Sequence, residues 1–196
     1  QVWNWFFTYI LTLLAITFIV GVISWIIGTI INGVCIKCAA DLIEKGKANL
    51  EEAFNFTIYK LVSLLAAAII AGILIALGTI ALIVPGIILA IMFSLVIPAI
   101  IIGNVGTIDS LSRSRRLVSN RWLKTFALLL IVYIIVLVIS YIGMLIGNIS
   151  GAFGWLASGV IAGFVQPIIP ISITVYYYSM LAKETQRFPP PPPPPF

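Results

Sequence analysis

Residues 3–36, WNWFFTYILTLLAITFIVGVISWIIGTIINGVCI, run for 34 positions without one charged side chain. A single membrane-crossing helix needs about 20 apolar residues, and a crossing hairpin about 40 or more. The stretch is therefore too long for one upright span and too short for two. No proline and no Asn-Gly turn interrupts its middle, and Gly21 alone is a weak breaker. It reads as one long tilted helix that leaves the membrane near Asn32 and continues along the interface. Trp3, Trp5 and Tyr9 suit the headgroup layer at its start. The opening residues carry no basic n-region and do not read as a signal peptide.

The rest of the chain repeats the pattern. Of 196 residues, 62% are hydrophobic and 9% charged, against about a quarter charged in a soluble domain. Further apolar runs read as spans over about 61–77, 87–102, 126–146 and 155–180. Pro85-Gly86 reads as the turn before the third, Pro98 as a kink within it, and Pro167 and Pro170 as a bend in the fifth. The fold class expected is all-α: a polytopic transmembrane helix bundle of about five spans plus interfacial amphipathic helices. Residues 1–182 form the bundle, and 183–196 a charged, polyproline tail.

The connectors carry all the charge. After the first span, Lys37, Asp41, Glu44 and Lys45 share a polar face, with i,i+4 pairs Lys37–Asp41 and Asp41–Lys45. Gly46 reads as the helix stop, and Asn49 with Glu52 as a capping box for the next helix. The densest run holds Asp109, Arg113, Arg115, Arg116, Arg121 and Lys124, with Trp122 among them. With five spans, an odd number of crossings precedes every one of the 11 basic and six acidic residues. All fall on one side, which the positive-inside rule makes cytoplasmic. The expected location is the cell membrane, with charged loops and C-terminus inside. A six-span variant keeps the charges together and moves only the N-terminus. Asn148-Ile149-Ser150 is a sequon on the outer side by this count, too near the bilayer to be a good acceptor.

Several chemistries find no residues. There is no histidine, the commonest general base and metal ligand. Cys35 and Cys38 form one CxxC pair, half a zinc site with nothing to complete it. No span carries an acid or base at its centre, where ion-coupled transporters keep one. No catalytic residue, cofactor or metal is expected. Arg113, Arg115, Arg116, Arg121 and Lys124 are the expected contacts to anionic lipid. Nucleic acid is not an expected partner, since the cluster lies against the membrane without a binding fold. Gly143, Gly147 and Gly151, then Gly159 and Gly163, recur every four residues and predict close helix packing, within the bundle or between subunits. In the tail, Pro189, Pro192, Pro195 and Phe196 are the expected docking residues for a partner that reads a polyproline helix.

Five segments, taken in order, carry a resemblance: Gly46–Phe54 (GKANLEEAF), Val84–Leu89 (VPGIIL), Ile97–Ala99 (IPA), Ser110–Val118 (SLSRSRRLV) and Thr174–Tyr178 (TVYYY). Over residues 30–182 the chain resembles the membrane domain found beside some glycerophosphodiester phosphodiesterases, with its stand-alone archaeal and bacterial relatives. That family often has an acid near position 104, where this chain has Asn104. The resemblance implies a helical membrane module. It does not carry over the phosphodiesterase activity, because the catalytic domain is absent from this sequence. The expected role is a non-catalytic membrane subunit or scaffold, partnered by lipids and by other membrane subunits or copies of itself. The alternative is a transporter or lipid-handling protein, with a cavity lined by Ser94, Asn104, Ser140, Asn148 and Gln166.

Overall fold

The computed structural model describes residues 2–119, 121–149 and 151–187, and these are all-α. The first helix, α1 (Val2–Lys45), is unbroken over 44 residues. At 1.5 Å per residue it is about 66 Å long, twice the roughly 30 Å hydrocarbon core. Gly46 ends it with φ +70°, the left-handed conformation that favours glycine. Then follow α2 (Leu50–Tyr59) and α3 (Leu61–Ala81). Asn49 caps α2 by accepting from the backbone N–H of Glu51 at 3.0 Å. The expected return bond from Glu52 is replaced by an ion pair to Lys45 at 3.5 Å.

The chain reverses at Leu82, not at Pro85-Gly86. Leu82 is extended (φ −162°, ψ 139°) between α3 and α4 (Ile83–Met92). Pro85 sits in the first turn of α4, where a helix has no use for its missing N–H. Gly86 is the contact point: a Cβ there would lie 2.7 Å from Thr79 Cα and 2.8 Å from Thr79 N. The Pro-Gly pair thus starts a helix and lets it press on α3.

The third span is broken, with α5 (Val96–Ile101) following α4 after a three-residue step. Pro98 explains the position of the break. It lacks an N–H and its ring clashes with the carbonyl four residues back, at Ser94. The helix yields over Phe93–Leu95, where Ser94 N bonds Ile91 O and Val96 N bonds Phe93 O, each three residues back. The fifth span repeats this: α8 (Gly151–Val165) gives way to α9 (Ile168–Arg187) at Gln166-Pro167, four residues before Pro170. Between these spans lie α6 (Thr107–Ser119) and α7 (Trp122–Ile149). Asn104, at φ +47°, turns the chain between α5 and α6.

Five segments are long and apolar enough to cross a membrane: Trp5–Lys45, Leu61–Ala81, Ile83–Ile101, Trp122–Gly147 and Leu156–Glu184. The core gathers at one end of them. One cluster joins Ile36, Leu64, Ala67, Val96, Ile100 and Leu111. The other joins Ile91, Leu95, Ala99, Leu117, Val118, Tyr177 and Met180. The short α5 belongs to both, so the broken end of the third span is the hub. The opposite end is looser. No described side chain of α1 before Thr29 is buried, and its large apolar groups face outward. Lipid is an adequate solvent for such surface.

Candidate functional site at the charged end

The charged end is a layer in which α6 and the ends of α1 and α9 pack around α5, while α2 folds against α1. Its centre is a backbone repair. In a continuous helix Met92 O would accept from Val96, and Leu95 N would donate to Ile91 O; the break withdraws both bonds. Ser114, on α6, supplies the two partners. Its hydroxyl donates to Met92 O at 2.6 Å and accepts from Leu95 N–H at 3.2 Å. Ser114 is fully buried. It lies on the inward face of α6 with Ser110, Leu111, Leu117 and Val118, spaced at helical intervals. The connector is therefore a plug set into the broken span. Thr107 Oγ1 ties its start to Ser63 O at 3.4 Å.

The arginines divide accordingly. Arg115 and Lys124 are exposed, as a lipid or solvent contact requires. Arg116 is paired with Glu184 of α9 at 3.5 Å. Arg121 places Nη1 3.9 Å from Met180 Sδ. Arg113 turns partly inward: its Nε is buried without a hydrogen-bond partner, as is the hydroxyl of Tyr177. Both groups converge on Gly103, where a Cβ would sit 3.1 Å from Tyr177 Oη and 3.2 Å from Arg113 Nη1.

A second polar centre lies between α1 and α2. Asp41 reads in sequence as part of a solvated face, yet it is only 2% exposed. The i,i+4 pairs do form: its Oδ1 takes Lys37 Nζ at 3.0 Å and Lys45 Nζ at 3.1 Å. Lys37 also lies 5.0 Å above the Phe56 ring. What the spacing does not reveal is that α2 folds over this face. Gly33 permits the approach, since a Cβ there would meet Thr57 Cγ2 at 2.5 Å. A pocket of about 580 Å³ opens beside Asp41, lined also by Lys45, Lys47, Asn49, Leu50 and Glu52. Next to it an apolar groove of about 330 Å³ runs between α1 and α9, lined by Cys38, Leu42, Ile43, Leu50, Ile171 and Val175 among others. Cys35 and Cys38 are free thiols on that groove. The Tyr178 hydroxyl donates to Glu44 and ties α9 to α1. Among the described residues, no cluster of three or more acids, cysteines or histidines could hold a metal.

Of the glycine stripe, Gly143 and Gly147 face α8. Added Cβ atoms would meet Ile161 Cγ2 at 3.2 Å and Ser158 Cβ at 3.4 Å. Gly154, outside the stripe, makes the tightest approach, 2.5 Å from Gly147 O. Gly159 and Gly163 have nothing within 4 Å, so their close-packing face is open. Gly151 begins α8. Of the alternative cavity residues, Ser140 lines the α7–α8 groove, Ser94 bonds Ile91 O inside the break, and Asn104 forms the turn before α6. Gln166 is exposed at the α8–α9 step. They serve separate elements. The side chains of Asn148 and the tail residues Pro189, Pro192, Pro195 and Phe196 lie outside the described residues; the charged part of the tail continues α9 as far as Arg187.

A family profile matches residues 4–180, nearly the whole bundle. The chain belongs to DUF7847, a domain of unknown function. No curated protein and no solved structure matches it. The DUF7847 region takes in all five candidate spans except the end of the last, together with the plug and both pockets of the charged end.

Proposed function

We propose that the chain is a non-catalytic multi-pass subunit of the cell membrane, acting as a scaffold within a larger membrane assembly. Its five segments cross the bilayer, and its charged end faces the cytoplasm. One observation carries the reading: the bundle is locked together at the charged end, whereas the first half of α1 and one face of α8 are left bare. No described side chain of α1 before Thr29 is buried, and α8 offers Gly159 and Gly163 with nothing packed within 4 Å of where a Cβ would stand. Helices associate in lipid by close backbone approach and van der Waals packing, which these surfaces leave available to another helix. The exposed Arg115 and Lys124 would rest on anionic headgroups.

A photo-crosslinking side chain at Phe18, which is 71% exposed, tests this in native membranes. The scaffold reading expects a discrete protein adduct of fixed mass, either another subunit or a second copy. Lipid adducts alone would contradict it. A second reading, lipid handling, rests on the apolar groove lying beside a polar pocket at the α1–α2 corner.

A further inference from the structure

We propose that the α1–α2 corner is a binding site for an aminophospholipid, a membrane lipid whose headgroup carries both a phosphate and an N–H-bearing ammonium. Three features converge there. The first is an unmet acceptor. Asp41 is 2% exposed, Lys37 and Lys45 both bind its Oδ1, and its Oδ2 is buried with no hydrogen-bond partner. A buried carboxylate oxygen without a donor is costly and calls for an occupant. The second is an unpaired cation. Lys45 is spent on Asp41 and Glu52, whereas Lys47, on the same pocket, forms no ion pair among the described residues. The third is the apolar groove, and Leu50 lines both it and the pocket.

One kind of molecule answers all three demands at once. Its ammonium donates to Asp41 Oδ2, its phosphate meets Lys47, and its chain lies along Leu42, Ile43 and Val175. Lys45, with a side chain 53% exposed, is the arm that swings aside to admit the ammonium. The corner lies where the first and last apolar segments reach their charged ends. Charge matching narrows the class. A choline headgroup has no N–H to give Asp41, and a glycerol headgroup has no cation to set beside Asp41 and Glu52. The site does not depend on the scaffold reading, because a bound lipid is compatible with a subunit and with a lone chain.

Native mass spectrometry of the full chain tests it, using release from bilayers with equal phosphatidylethanolamine, phosphatidylcholine and phosphatidylglycerol. Phosphatidylethanolamine should be retained in preference to the other two. Lys47→Gln should weaken that retention by about tenfold, the effect of losing one charge-assisted contact. Val175→Trp, at a position 54% exposed on the groove rim, should do the same by filling the chain's place without disturbing the core. Equal retention of the three lipids would overturn the proposal. So would preference for phosphatidylglycerol, which would reveal plain attraction to negative charge, or variants that hold phosphatidylethanolamine as the parent does.

Discussion

Ser114→Ala should lower the stability of the folded chain by about 2–3 kcal/mol, because it strips one buried and one partly buried backbone group of the partner that replaces their helical bond. Met92 O and Leu95 N lie inside the break, and the hydroxyl that serves both comes from a helix 19 or more residues away. Water cannot readily replace it, since Ser114 is 0% exposed. For a chain of this size the loss corresponds to a drop of about 5–10 °C in the unfolding midpoint, measurable by circular dichroism in detergent. Ser112→Ala, on the exposed face of the same helix, should change stability by less than about 0.5 kcal/mol. If the two variants unfold together, α6 is not a plug, and the break in the third span is held by something else.

Gly86→Ala should be comparably damaging for a different reason. The added Cβ meets Thr79 Cα at 2.7 Å and Thr79 N at 2.8 Å. Those are backbone atoms, so no rotamer change relieves the contact, and α3 and α4 must part. Overpacking of this kind costs about 1–3 kcal/mol. The double variant Gly86→Ala with Thr79→Gly separates the causes. It removes the Thr79 side chain but leaves Cα and N in place, so it should not restore stability. Gly72→Ala, with nothing within 4 Å, should be neutral or slightly stabilising, as alanine is the better helix former. Rescue by Thr79→Gly, or equal harm from Gly72→Ala, would contradict the close α3–α4 approach.

The spans were legible because a bilayer imposes a length on apolar runs that needs no tertiary information. The unbroken α1, its stop at Gly46 and the Asn49 cap followed from local chemistry. Pro85-Gly86 misled, since the same dipeptide can mark a turn or start a helix; which occurs depends on how near α3 lies. Pro98 pointed to a break but not its place, which sits upstream because the clash is with the carbonyl four residues back. Asp41 was correctly paired and wrongly exposed, because i,i+4 spacing fixes partners on one helix and says nothing of a second helix above it. Ser114 has a local signature beside the arginines: Ser110, Leu111, Ser114, Leu117 and Val118 share one face of α6, so this charged segment also has an inward side. The orphaned Asp41 oxygen and the adjoining groove depend on the relative placement of α1, α2 and α9, and no local pattern encodes that.

The described charged connectors gather at one end of the helix bundle, the end that the proposed topology sets at the cytoplasmic face. Single cysteines at Leu82, Ser112 and Lys47, introduced with Cys35 and Cys38 changed to alanine, read this in sealed inside-out vesicles. Leu82 forms the exposed α3–α4 turn, and Ser112 and Lys47 are exposed at the charged end. A membrane-impermeant maleimide added outside should label Ser112→Cys and Lys47→Cys, and should reach Leu82→Cys only after the vesicles are opened. Labelling of Leu82→Cys in intact vesicles together with the other two, or protection of either charged-end cysteine while the other reacts, would contradict the one-sided arrangement.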